Sequence, residues 1–206
     1  LLATVPPFLA FFWADALAAL ALVDRLHNAW FQSVTLRTAG FNSVDLATVL
    51  GPTCLLMHLW MFIGGSPGGT AGGVKTTTIA VLALTFWTNI TGHAEVIVQN
   101  RRIPQATINR AVTLVGAGVL IWAAAALALQ ITQPLPARAL LFETTSALGT
   151  VGLSLGITPS LDGIGKIIIM LTMFIGRVGP LTLFTLLSGD IAPADPRCPD
   201  ARLTIN

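Results

Sequence analysis

Charge is scarce in this chain. Only 10% of its 206 residues are Asp, Glu, Lys or Arg, against about 25% in soluble globular domains, and that deficit excludes an ordinary water-soluble fold. Eleven Lys and Arg against nine Asp and Glu leave a formal charge of +2. With no block of like charge, the basic footprint of a nucleic-acid binder is missing. Cysteine is nearly absent: Cys54 lies in an apolar run and Cys198 in a polar tail, so neither a disulfide framework nor a metal cluster is suggested. The three histidines are equally scattered. No paired carboxylates, no nucleophile with its base and no metal-ligand cluster share a stretch, so neither enzyme chemistry nor a resident cofactor is expected. The chain opens inside an apolar run with no initiator Met, no charged leader and no small-residue cleavage site. A signal peptide is thereby a poor reading, and a later portion of a longer protein is the expectation.

What the chain has in abundance is apolar surface. Hydrophobic residues make up 54% of it and the mean hydropathy is +0.79, so the unit of organisation is the membrane span of about 20 residues. Apolar runs fall at residues 1–23, 46–90, 107–131 and 164–187, giving four crossings of an all-α membrane protein. The run 46–90 is too long for one crossing. As a straight helix it would reach about 68 Å at 1.5 Å per residue, against a bilayer core of roughly 30 Å. Residues 64–73 hold six glycines and a proline, which breaks the run into two half-helices of about 17 residues each. Arg101, Arg102 and Arg110 in the linker after this run, with Arg197 and Arg202 in the tail, place both segments in the cytoplasm by the positive-inside rule.

The chain also repeats itself. Met61-Phe62-Ile63-Gly64 recurs as Met173-Phe174-Ile175-Gly176, and Thr38-Ala39-Gly40-Phe41 as Thr150-Val151-Gly152-Leu153, both displaced by 112 residues. Upstream, Phe31-Gln32-Ser33-Val34-Thr35 matches Phe142-Glu143-Thr144-Thr145-Ser146 at a displacement of 111, which places a one-residue indel before the Thr-x-Gly turn. The copies divide the chain at residues 1–106 and 107–206, each reading as span, short helix, Thr-x-Gly-apolar turn and second span. The loops at residues 24–45 and 133–162 are too apolar for external turns and too interrupted to cross, so they read as re-entrant loops. Non-helical backbone at membrane depth is tolerated where it is buried in protein or lines a water-filled cavity. The Thr-x-Gly-apolar turn resembles the filter of potassium channels, in which backbone carbonyls replace the hydration shell of the ion.

With its flanks, this pattern resembles the pore subunit of the Ktr/Trk/HKT potassium transporters. The resemblance rests on residues 31–42, on the run 61–78, on residues 146–156 and on Met173-Phe174-Ile175-Gly176-Arg177-Val178-Gly179-Pro180. Ser66-Pro67 and Thr76 to Thr78 are closer to the Ktr branch. The resemblance implies a pseudo-fourfold, cation-channel-like fold of four span, pore-loop, span repeats, of which this chain would carry the third and fourth. The end after Arg197 is similar to the Ktr C-terminus, which implies that this end is complete. The implied filter comprises Thr38, Ala39, Gly40, Phe41, Thr150, Val151, Gly152 and Leu153. The implied intramembrane gate loop comprises Gly64, Gly65, Ser66, Pro67, Gly68, Gly69, Thr70, Ala71, Gly72, Gly73 and Lys75, with Arg177 a fixed positive barrier below the filter. For Lys75, snorkelling or capping of a carbonyl stands beside gating; for Arg177, capping of carbonyls stands beside the barrier role. K+ would be the transported ion, with Na+ a candidate coupling ion. Glycine at both filter positions implies K+ selectivity, because serine there goes with sodium permeation in the family. The implied partners are the missing first two repeats, a second full-length subunit in a homodimer, a cytosolic nucleotide-binding regulatory ring of the RCK/KTN type and the lipid of the plasma membrane, with the C-terminus cytoplasmic. Glu143, in the second pore helix, is expected to anchor the filter and His58 to pack in the core, while for Asp45, just past the first filter, a place at the external mouth stands beside a solvated loop carboxylate. A two-pore-loop channel subunit that dimerises, or a non-conducting membrane scaffold, remains the alternative.

Overall fold

The computed structural model describes residue 17 and residues 20–68, 71–92, 95–98 and 100–179. Most of the first expected span, with Asp15, therefore lies outside the described residues, as do Gly69, Thr70, Pro180 and the tail bearing Arg197, Cys198 and Arg202.

Helix α1 (Leu22–Thr35) carries Asp24 in its first turn, where a carboxylate complements the positive end of the helix dipole. It begins inside the run read as the first span, so Leu22 and Val23 belong to this helix. A 3-10 turn, Leu46–Thr48, follows, with the Asp45 side chain accepting from the Ala47 amide at 2.9 Å. Asp45 thus has a local capping task.

Helix α2 (Gly51–Phe62) starts with Pro52 in its first turn, where the missing N–H is an orphan in any case. Helix α3 (Thr76–Ile90) follows the glycine-rich loop. The break appears where the glycines predict it, but the flanking helices have 12 and 15 residues rather than about 17. Residues 46–50 are spent on the 3-10 turn and an extended Leu50, and Ile63 leaves the helical region at once.

The linker contains a feature absent from the sequence reading, a short antiparallel hairpin of β1 (Ile97–Val98) and β2 (Arg101–Arg102). Asn100 turns it at φ +61°, a conformation Asn tolerates, and Arg102 pairs with Glu95 at 2.9 Å.

Helix α4 (Gln105–Thr132) matches its expected span closely. Among the described residues it is the helix long and apolar enough to cross a membrane; at 1.5 Å per residue its 28 residues reach about 42 Å. Helix α5 (Ala137–Leu148) begins after Pro136 and ends at Gly149. A 3-10 turn, Thr158–Ser160, leads into α6 (Gly163–Val178), capped by Asp162, whose side chain accepts from the Gly165 amide. The second loop runs from the end of α4 to this cap, so its expected limits, 133 and 162, coincide with those observed.

Helix α5 is central, packed against α2, α4 and α6. One apolar core joins Leu36, Met57 and Met61 of the first copy to Phe142, Val151 and Leu153 of the second, and another gathers Leu129, Leu140, Ala147, Leu161 and Ile169. His58, half-buried, meets the Phe142 ring edge-on at 5.4 Å, in keeping with a packing role. The Arg138 guanidinium in the first turn of α5 donates to the Val49 carbonyl, tying the second copy to the chain segment that leads into α2.

Candidate functional site

Both Thr-x-Gly turns adopt the same unusual backbone. Thr38 and Gly40 have φ of +71° and +75°, and Thr150 and Gly152 have +52° and +90°. Left-handed threonine is rare because its branched Cβ crowds the following carbonyl, so its recurrence at equivalent positions requires surrounding structure that enforces it. Equivalent bonds hold the two turns. The Ala39 amide donates to the Thr35 carbonyl at 3.1 Å, and the Val151 amide to the Ser146 carbonyl at 2.8 Å. In the first copy the Thr35 hydroxyl also donates to the Phe41 carbonyl at 2.7 Å and accepts from the Phe41 amide at 2.9 Å.

The turns face each other. A methyl group on Gly40 would overlap the Val151 carbonyl oxygen, and one on Gly152 would lie 3.6 Å from the Gly40 Cα. The structure thereby brings Thr38 to Phe41 and Thr150 to Leu153 into one site at the carboxyl ends of α1 and α5, toward which both helices direct the negative ends of their dipoles.

Beneath it sits the glycine-rich loop. It is closed by the Gly64 amide donating to the Val74 carbonyl at 2.8 Å, the Val74 amide to the Phe62 carbonyl at 3.3 Å and the Thr76 amide to the Gly65 carbonyl at 3.2 Å. Its far limb touches the second turn. The Gly72 amide donates to the Thr150 hydroxyl oxygen at 3.0 Å, and a methyl group on Gly72 would overlap that hydroxyl. The Lys75 ammonium donates to the Ala71 carbonyl at 2.5 Å, so Lys75 caps the loop from which it emerges. A cavity of about 260 Å³ opens beside this contact, with Phe62, Val74, Lys75, Leu148 and Gly176 among its walls. Arg177 lies in the last turn of α6 and is exposed. Its neighbours Gly176 and Val178 line the cavity and Arg177 does not.

Two contacts escaped the sequence reading. Arg37, the residue before the first turn, stacks its guanidinium over Trp60, 5.6 Å from the ring centroid, within cation–π range. In α1 the Gln32 amide nitrogen lies 3.4 Å from the Asn42 side-chain oxygen. The second was within reach of the internal alignment, which pairs Gln32 with Glu143 and Asn42 with Ser154. Glu143 is buried at 5% exposure and accepts from the Ser154 hydroxyl and, at 2.9 Å, from the Thr158 hydroxyl. The expected anchor is thus in contact with the segment that leaves the second turn. Among the described residues no group of three or more His, Cys, Asp or Glu side chains is placed to hold a metal.

The family model of TrkH, described as a cation transport protein, matches residues 4–192. The chain belongs to that family. Over 166 residues it is 42% identical to the Ktr system potassium uptake protein B of Bacillus subtilis (strain 168), a match spanning 81% of this chain and 37% of that protein. It is 40% identical over 169 residues to the potassium/sodium uptake protein NtpJ of Enterococcus hirae, covering 80% of this chain and 38% of that one. The crystal structure of the potassium transporter TrkH from Vibrio parahaemolyticus has the same fold over 90% of this chain and 42% of its own, at a TM-score of 0.77 and 22% identity. The chain therefore spans about two-fifths of the length of these family members.

Proposed function

We propose that this chain contributes the third and fourth of four pore-loop repeats to a potassium uptake subunit in the plasma membrane, acting as a transporter and not as an enzyme. K+ passes partly dehydrated along carbonyls of Thr38 to Phe41 and Thr150 to Leu153, while the loop from Gly64 to Gly73, with Lys75 at its edge, closes the path below. The observation that carries this reading is the pair of left-handed Thr and Gly positions in both turns, set face to face with Gly40 against Val151. Two such turns account for half of a ring of carbonyls, and the first two repeats supply the rest. Names of the relatives support the ion, since the Bacillus subtilis protein is a potassium uptake protein and the Enterococcus hirae protein a potassium/sodium uptake protein.

The loop acts as a gate because its Gly72 amide occupies the Thr150 hydroxyl at the inner end of the filter, where an emerging ion needs room and a ligand. Arg177 adds positive charge near the mouth of the cavity, and Na+ is a candidate coupling ion. A homodimer of full-length subunits, a cytosolic RCK/KTN-type regulatory ring and a cytoplasmic C-terminus complete the proposal.

Potassium-limited growth of a transport-deficient cell tests it. Rescue by this chain only when the first two repeats are co-expressed is the expected result. Rescue by the chain alone would make it a self-dimerising channel, and failure of both, with protein present in the membrane, would leave a non-conducting scaffold.

A further inference from the structure

The two copies brace their filters with the same pair of positions but with different chemistry. In each, a side chain on the short helix reaches the residue two places past the filter glycine: Gln32 to Asn42 in the first copy and Glu143 to Ser154 in the second. The first strut is an amide pair in which the Gln32 nitrogen donates to the Asn42 oxygen at 3.4 Å, a weak hydrogen bond between neutral groups, and the Gln32 side-chain oxygen, Oε1, is buried without a partner among the described residues. The second is stronger. The Glu143 carboxylate accepts from both the Ser154 and the Thr158 hydroxyls, and the Ser154 oxygen in turn accepts from the Gly156 amide at 2.9 Å. Bonds to a carboxylate are roughly twice as strong as those between neutral groups, and here the buried Glu143 holds two hydroxyls, of the half-buried Ser154 and the exposed Thr158, at once. Glu143 thereby pins residues 154–158 to α5 just beyond the point where Gly152 turns its carbonyl.

Resting on the proposed filter, we infer that Glu143 is a positioning residue for ion selectivity: through Ser154 and Thr158 it fixes the spacing of the second filter segment, and the pore distinguishes K+ from Na+ chiefly on that side. The carboxylate touches no ion. It acts by denying the filter the small contraction that a smaller, more strongly hydrated cation requires. The Gln32–Asn42 side is the compliant partner, and it tolerates exchange.

The experiment measures K+ and Na+ uptake by the full four-repeat pore in transport-deficient cells, with the amount of protein in the membrane quantified. Glu143→Gln, which copies the chemistry of the first strut, is expected to lower the K+ to Na+ uptake ratio about tenfold, the loss that follows from removing a charge-assisted brace. Ser154→Ala should give the same fall and, combined with Glu143→Gln, add little to it. Glu143→Asp should restore part of the ratio, and Gln32→Ala should change it less than twofold. A proportionate loss of both fluxes in Glu143→Gln and Ser154→Ala, or an unchanged ratio at normal membrane levels, overturns the inference. Gly152→Ser is the control for the filter itself. If it alters the ratio and neither strut variant does, the filter stands and the strut fails; if it too leaves the ratio unchanged, the filter reading fails. Should Glu143→Gln not reach the membrane, Ser154→Ala decides alone.

Discussion

At the scale of single residues, the contact between Gly72 and Thr150 would, in the proposed pore, join two functions in one hydroxyl. A threonine oxygen that accepts from the loop amide has one lone pair fewer for a passing cation, so in the proposed pore loop closure and ion occupancy of the inner filter would oppose each other. Gly72→Ala forces the loop away, because the added methyl overlaps the Thr150 side chain. Loss of one neutral hydrogen bond worth ~1 kcal/mol favours the open loop about fivefold. Uptake of Rb+ as a K+ tracer, measured per molecule in the membrane, should rise by about that factor, and a fall would disprove the latch. None of this was legible in the sequence. Residues 72 and 150 are far apart along the chain, and nothing in a glycine-rich run says which amide will find which hydroxyl. The left-handed threonines were equally hidden, since Thr is a poor candidate for positive φ and becomes readable there only through its duplication.

At the scale of elements, breakers were the most legible features. The glycines of residues 64–73 act locally, so the break they make was read from the sequence, and Pro52, Pro136 and Asp162 act as locally in the structure though they escaped the sequence reading. The hairpin at 97–102 and the shortened α2 were not legible, because a two-residue strand has no periodicity to detect and the 3-10 turn at Leu46–Thr48 sits within an unbroken apolar run.

Asp162 offers a test at this scale. It accepts from the Gly165 amide at 2.7 Å and from the Gln133 side-chain amide at 2.6 Å, and these bonds hold its carboxyl below the ordinary carboxylate range, led by the Gly165 contact. A group with a lowered folded value stabilises the fold above its unfolded pKa, near 3.8, and the benefit is lost as pH falls through the folded value. Thermal unfolding in detergent should therefore show the difference between the parent protein and Asp162→Asn at pH 6, with that gap closing as pH drops below about 4. A gap that is independent of pH would assign the effect to shape alone. At the end of α6, Arg177→Ala should raise cation flux if the guanidinium repels ions near the cavity, by a fewfold at physiological salt; unchanged or lower flux in well-expressed protein removes that role.

For the whole molecule, one of the two apolar cores joins the copies while the other belongs to the second copy alone, and the two turns meet at Gly40 and Val151. Leu36 and Met57 pack with Phe142 and Val151, and α5 contacts helices of both copies. In lipid such packing gains little from the hydrophobic effect, and close contact with satisfied polar groups has to hold it. The Arg138 bond to Val49 is such a polar contact between the copies, and the struts at Gln32 and Glu143 brace the turn within each. Gly40→Ala should consequently be felt across the boundary. The backbone strain alone costs ~1–2 kcal/mol, and the overlap falls on the carbonyl of Val151. Amide hydrogen exchange at Val151 and Gly152 should accelerate along with that at residue 40. Exchange that changes only around residue 40 would show the two turns to be independent.

The contact of Gly40 with Val151 also bears on how a duplicated gene can diverge. Ordinarily one copy drifts while the other keeps the ancestral task. Here a side chain acquired by Gly40 must be accommodated by the Val151 backbone of the other copy, which ties their histories together. Freedom to specialise is left to the next ring of residues outward, where Gln32 and Glu143 already differ. Innovation in such a molecule accumulates behind its most constrained surface, and a search for what sets one member of the lineage apart from another should begin there.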